Sequence, residues 1–143
     1  MNVAYIQKTI YRLSISCRLP KKHYNVGCRR MKYGKLKKNW QFSRVYKAGD
    51  KYYGNLFILY VLPNGTQETR IGLTVTKKVG RSVQRNRIKR VIREVIRLSK
   101  EIAPGNDLVI IARKAAVDLK YSQAQRSINN LLYRARILKP DKN

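Results

Sequence analysis

The segment Lys77-Lys78-Val79-Gly80-Arg81-Ser82-Val83-Gln84-Arg85-Asn86-Arg87-Ile88-Lys89-Arg90-Val91-Ile92-Arg93-Glu94-Val95-Ile96-Arg97 holds nine Lys or Arg against a single acid, Glu94. Its apolar residues recur at helical spacing. At about 100° per residue, Ile88, Val91, Ile92, Val95, Ile96 and Ile102 gather on one side, while Asn86, Arg87, Lys89, Arg90, Arg93 and Arg97 take the other. One face can enter a core while the opposite face presents an array of guanidinium groups. Arg offers a planar fork that pairs bidentately with phosphate and stays charged at ordinary pH, so the array suits a polyanion. A merely solvated face mixes both signs, and this one barely does.

The start of this helix adds to the effect. Ser82 reads as the N-cap, and Gly80 permits a tight turn before it. Lys77, Lys78, Arg81 and Arg85 crowd around free backbone N–H groups at the positive end of the helix dipole, which makes this the best candidate anion site in the chain.

Upstream, residues 69–76 alternate, with Ile71, Leu73 and Val75 on one face and Arg70, Gly72, Thr74 and Thr76 on the other. The unbroken β-prone run Leu56-Phe57-Ile58-Leu59-Tyr60-Val61-Leu62 reads as a central strand. Pro63-Asn64-Gly65-Thr66 between them is a strong turn signal, so the two strands are predicted to form a hairpin feeding into the Arg-rich helix. Residues 50–54 make a turn or short strand. Leu36 to Ala48 reads as a helix stopped by Gly49, with Phe42, Val45 and Tyr46 on one face.

Downstream, the Arg-rich helix is expected to end near Ala103, because Pro104 disfavours helical geometry in the preceding residue. Asp107 to Ala112 reads as a short buried strand, reached from the 69–76 strand by a parallel crossover through the helix. Arg113 and Lys114 follow at its C-terminal end. Tyr121 to Ile137 is a last helix, with Ala124, Ile128, Leu131, Leu132 and Ala135 at core spacing. The order is α-β-β-β-α-β-α, with four strands.

A length of 143 residues gives room for one domain with a modest core. Hydrophobic content of 43% is that of a folded protein, but the net charge of +26 is far from ordinary. Self-repulsion at that charge opposes compactness, so a large anionic partner is expected, nucleic acid first and anionic membrane a distant second. If about ten cations each neutralised a phosphate, affinity would fall by orders of magnitude over a modest rise in salt. No run is long enough to span a bilayer, and Cys17, His23 and Cys28 show neither a zinc spacing nor a disulfide framework; a soluble, cytoplasmic chain with free thiols is the expectation.

Residues 1–31 contain no acid and seven Lys or Arg, and they read as a basic extension. Three accounts fit: a disordered tail, a translation start misplaced from Met31, or, less favoured, a transit peptide. The domain proper then covers 32–138, with 139–143 as a tail.

The chain is poor in catalytic parts. Seven acids are spread without a pair at helical or facing-strand spacing, and the single His lies in the extension. General acid–base work needs a group titrating near neutrality or paired carboxylates, and a resident metal needs clustered Asp, Glu, His or Cys. No Gly-rich nucleotide loop occurs. The chain reads as a binder. Ten Tyr, two Phe and Trp40 accompany the charge; exposed aromatics on a basic surface stack unpaired bases, although spacing alone makes Phe42, Tyr46 and Tyr60 core residues by default. A duplex-DNA reader more often carries its recognition helix on a small helical bundle, so RNA is the stronger inference.

Gly72-Leu73-Thr74-Val75-Thr76-Lys77-Lys78-Val79-Gly80, followed by Arg85-Asn86-Arg87-Ile88-Lys89-Arg90 and Arg93-Glu94, closely resembles the signature of the bacterial ribonuclease P protein component. Leu36-Lys37-Lys38-Asn39-Trp40-Gln41-Phe42-Ser43-Arg44-Val45-Tyr46 with Gly49, and Ile110-Ile111-Ala112-Arg113-Lys114, are similar to it as well. The resemblance implies an α/β (α+β) two-layer sandwich with a four-stranded sheet and a left-handed crossover, like one domain of a small-subunit ribosomal protein. It implies a catalytic RNA subunit and precursor tRNA as partners, no cofactor bound by the protein alone, and Mg2+ held by the RNA, which removes the 5′ leader of the precursor. Arg85, Asn86, Arg87, Lys89, Arg90 and Arg93, with Lys77, Lys78 and Arg81 before them, would then face the RNA subunit. Phe42, Tyr46, Tyr60 and Asn86 would take the leader. Three positions depart from the usual pattern: Tyr46, where Phe is frequent, and Arg81 and Gln84, where small or apolar residues are commoner. Two rival functions remain at this level, a ribosomal or general structural RNA-binding protein and a nuclease acting without RNA.

Overall fold

The computed structural model describes residues 33–99 and 101–138; the readings made for residues 1–31 and 139–143, including Cys17, His23, Cys28 and Met31, lie outside the described residues. Along the described chain run β1 (Gly34–Lys35), α1 (Asn39–Ala48), β2 (Asp50–Tyr53), β3 (Phe57–Pro63), β4 (Arg70–Thr74), α2 (Ser82–Leu98), β5 (Asn106–Ala112) and α3 (Tyr121–Arg134). Single 3₁₀ turns precede α2 at Lys77–Val79 and follow β5 at Lys114–Ala116. The strands form one sheet in the order β1-β4-β5-β3-β2.

The α+β class and the parallel crossover hold, since β4 and β5 pair in parallel with α2 between them in sequence. The hairpin does not. β3 and β4 are separated by β5, which pairs antiparallel with β3 over the whole of Phe57 to Pro63. The turn signal was sound, because Gly65 sits at φ 70° and Asn64 Oδ1 accepts the Thr66 N–H at 2.9 Å. The turn goes round the N-terminal end of β5 instead of closing on β3: the Asn64 N–H donates to the Gly105 carbonyl at 2.9 Å, and Thr69 Oγ1 donates to the Ala103 carbonyl at 2.8 Å. The reason is burial. Leu108, Val109 and Ile110 are covered on both sides, and such a strand belongs at the centre of a sheet, not at its edge.

A fifth strand, β1, was invisible to periodicity because it is only two residues long; it pairs Gly34 with Arg70 and Lys35 with Ile71. It also delays the first helix to Asn39, three residues later than Leu36, which is buried in the extended link. The Arg-rich helix ends earlier than its sequence suggests, at Leu98, where the Ser99 hydroxyl donates to the Ile96 carbonyl at 2.8 Å. Ile102 is therefore not on the helix face. It reaches the core through a bridge to Leu138. The last helix ends at Arg134, not Ile137, and Arg136 at φ 54° turns the chain so that Ile137 is buried.

Alternation along the strands splits the apolar residues between two faces. Phe57, Leu59, Val61, Ile71, Leu108, Ile110 and Ala112 meet Ile88, Ile92, Val95 and Ile96 of α2 and Ala124, Ile128, Leu131 and Leu132 of α3 in the main core. Among the described residues the opposite face carries α1 alone, over Val109 and Ile111. Gly72 lies on that second face, and a Cβ there would stand 2.5 Å from Cε1 of Phe42. Beside it Arg70 forks onto Asp107, with Nε to Oδ1 at 2.8 Å and Nη2 to Oδ2 at 2.7 Å, and Asn64 Nδ2 donates to Oδ1 at 2.8 Å. The hydrogen bond to Asp107, opposed by burial, raises the Arg70 pKa above its ordinary value.

Two stability outcomes are expected in urea titrations. Gly to Ala in a strand ordinarily stabilises by about 0.5–1 kcal/mol, but Gly72→Ala is expected to destabilise by about 1–3 kcal/mol because the Phe42 ring must move. Arg70→Ala leaves the 2% exposed Asp107 carboxylate without its cation and is expected to cost about 3–5 kcal/mol.

Candidate nucleic-acid interface

α1 lies across β3 and β5, and the side chains between helix and sheet define a cleft. Leu36, Val45 and Val109 form its buried floor, and Phe42, Tyr46, Tyr60, Leu62 and Ile111 pack around them while remaining only half-buried. The Tyr46 and Tyr60 rings meet edge to face with centroids 5.2 Å apart, and Phe42 lies 6.5 Å from Tyr46. Tyr46 Oη and Thr74 Oγ1 share a hydrogen bond of 2.8 Å, which fixes the ring across the end of β4. Spacing alone assigned these three aromatics to the core. In the fold they are a partly open aromatic wall, because one ten-residue helix is too short to cover the whole sheet face.

Lys51 escaped the sequence reading. Its Nζ stands 5.6 Å from the centroid of the Tyr60 ring, close enough for a cation–π contact that also keeps positive charge at the cleft mouth. The signal was present in the alternation of residues 50–53, but it required knowing that they form a strand.

α2 divides largely as its wheel requires. Ile88, Ile92, Val95 and Ile96 are buried, whereas Asn86, Arg87, Arg90 and Arg93 are exposed. Among the described residues none of Arg87, Arg90 and Arg93 meets a carboxylate, while Arg97 is paired with Glu94. Lys89 is half-buried at the margin. Arg85 differs from the rest of the set: it lies three and seven residues before Ile88 and Ile92, hence on their side of the helix, and its Nε is buried without a partner. Lys77, Lys78 and Arg81 are exposed in the turn that leads into the helix.

That turn departs from the expectation in one respect. The N-cap is Arg81, with Ser82 as the first helical residue, because Gln84 Oε1 accepts the Arg81 N–H at 2.9 Å and starts the helix one residue early. Gly80 is needed just before it, since a Cβ there would strike the same Gln84 oxygen. The cleft and the cationic turn are close in the chain: Thr74, at the cleft, lies three residues before Lys77, and Arg113 follows β5 at the same end of the sheet.

Asp107 is engaged by Arg70 and Asn64, Glu94 by Arg97, and among the described residues no three His, Cys, Asp or Glu side chains stand together.

The sequence matches the Ribonuclease P family over residues 31–136. It is 44% identical over 108 residues to the ribonuclease P protein component of Clostridium kluyveri, covering 73% of this chain and 96% of that protein. It is 40% identical over 109 residues to that of Bacillus velezensis, covering 76% and 94%. Among solved structures, the Staphylococcus aureus RNase P protein superposes with a TM-score of 0.69 at 36% identity, over 76% of this chain and 100% of that one. The RNase P protein from Thermotoga maritima does so at 0.65 and 30% identity, over 70% and 96%. With a two-faced sheet, an arginine-bearing crossover helix and this degree of shared sequence, the chain belongs to the ribonuclease P protein family.

Proposed function

We propose that this ribonuclease P subunit engages the RNA subunit through the exposed face of α2 and the turn before it, and takes the 5′ leader of precursor tRNA in the cleft beneath α1. Chemistry falls to the RNA, which also holds the Mg2+ that hydrolysis requires; the chain's own residues bind, screen and orient. Membership of the family supports the role in tRNA processing. One observation carries the finer reading: Phe42, Tyr46 and Tyr60 share a single half-open cleft on a sheet whose strand ends run into the cationic turn. An extended single strand lying in that cleft would stack on rings, each worth about 1–3 kcal/mol, and its phosphates would lie near Lys51 and Lys77. Asn86, exposed in the first turns of α2, offers an amide to the strand or to the RNA subunit. The positive charge of the chain lowers the repulsion between leader and RNA subunit. Among the described residues no helix is long and apolar enough to cross a membrane, and the cytoplasm is the place of action this reading implies.

Reconstitution with a ribonuclease P RNA at low magnesium, scored by 5′ leader removal, tests the whole assignment: added protein should restore cleavage that the RNA alone performs poorly under those conditions. Ribosome association with no stimulation of cleavage would reject it.

Substitutions on α2 and in the cleft separate the two surfaces. Arg87→Ala or Arg90→Ala is expected to weaken assembly with the RNA subunit and to reduce the slope of log affinity against log salt by about one for each phosphate left unneutralised, read in filter-binding titrations. Phe42→Ala is expected to weaken precursor binding by about 1–3 kcal/mol and to spare mature tRNA; an equal loss for both forms would remove the leader from the cleft.

A further inference from the structure

The sheet face that carries the cleft continues past Tyr60 to the edge strand. On β2 the side chains alternate, and Tyr52 packs against the main core, so Lys51 and Tyr53 project from the cleft face. The position of Lys51 over the Tyr60 ring agrees with this parity. Tyr53 pairs with Ile58, which lies two residues from Tyr60 on β3 and, between the core-facing Phe57 and Leu59, shares the cleft face. Two residues along a strand and one strand across place the Cα of Tyr53 about 8 Å from that of Tyr60.

Tyr53 differs from the three cleft aromatics in being 60% exposed. Packing therefore gives little reason for a large ring at this point. Its backbone is nevertheless held in place: Arg134 Nη1 donates to the Tyr53 carbonyl at 2.7 Å, and Arg113 Nη1 donates to the Gly54 carbonyl at 3.0 Å. Two guanidinium groups thus sit on the backbone at Tyr53 and Gly54, and the Lys51 ammonium lies on the same face of the strand, over the neighbouring Tyr60 ring. Asp107, the acid of β5 on this face, is already engaged by Arg70 and Asn64. The Tyr53 carbonyl is occupied, which disfavours addition of another strand at this edge.

We infer that Tyr53 is a further stacking position for an unpaired nucleotide, extending the leader path from Tyr60 to the outer edge of the sheet, with Lys51 and Arg113 beside the flanking phosphates. The occupant is single-stranded RNA because the surround is cationic, the ring is open and the position continues the aromatic line of the cleft. This rests on the leader-binding reading above and adds to it a defined end of the path.

The test uses the reconstituted holoenzyme and precursor tRNAs whose leaders are lengthened one nucleotide at a time, with the dissociation constant measured for each. Wild-type affinity is expected to rise in steps as each stacking position is filled. Tyr53→Ala should abolish only the outermost step, by at least about fivefold, and leave mature tRNA and short leaders unchanged; Tyr53→Phe should keep that step. Because Tyr53 is exposed, the Ala variant is expected to fold, and its melting curve checks this. A Tyr53→Ala effect equal at every leader length, or absent at all lengths, would overturn the inference while leaving the cleft reading intact. So would an altered self-association of the free chain with an unchanged leader series. A wild-type holoenzyme that gains nothing from any leader would instead overturn the cleft reading, and this extension with it.

Discussion

The insertion of β5 between β3 and β4 is the constraint on which the rest of the molecule depends. Its residues are buried on both faces, Leu108 and Ile110 toward α2 and α3 and Val109 toward α1, so the strand needs a neighbour on each side and a layer on each face. Parallel pairing with β4 requires a long connection, which α2 supplies, and that connection must bury one stripe and expose the other. Antiparallel pairing with β3 turns Tyr60 and Ile58 to the same side as Val109 and Ile111. The half-open aromatic cleft follows from these pairings.

The two faces of the sheet are covered unequally. Two helices seal one of them, and their apolar stripes form the main core. On the other, α1 occupies part of the width and leaves aromatic side chains half-buried at its flank. Burial of one edge of Phe42, Tyr46 and Tyr60 holds the rings in fixed orientations, so little conformational freedom is lost when something stacks on the other edge. Gly72 matters for the same reason: its missing side chain lets Phe42 approach the sheet closely enough to be held.

The few acids and the many bases are used differently. Asp107 and Glu94 serve structure, one bracing β4 against β5 and the other holding Arg97 on α2. None of the three described helices carries an acid in its first turn; each is preceded by a base, Lys38, Arg81 or Lys120, whose backbone N–H is accepted by a Gln three residues later. Glutamine supplies the hydrogen bond of a helix start without the negative charge that would ordinarily accompany it. The positive ends of the helices therefore stay uncompensated in the free chain. This arrangement costs the free chain stability, and it leaves the positive charge exposed.

Sequence by itself determined what local chemistry can determine: the amphipathic division of α2, the three helices, the buried character of β3 and β5, the nucleic-acid reading drawn from charge, and the family, through the run from Gly72 to Glu94. The charge is a property of the whole composition; the others depend on residues a few positions apart, whose local pattern is the same whatever the rest of the chain does. Tertiary structure alone decided the strand order, the two-residue β1, and the meeting of Phe42, Tyr46, Tyr60, Lys51 and Tyr53 on one surface. A turn signal says that the chain reverses but not what it reverses around, and here burial of β5 prevailed over the local preference for a hairpin. An aromatic residue looks the same in sequence whether a helix covers it fully or by half. That difference was set by how far ten residues of α1 reach across the sheet.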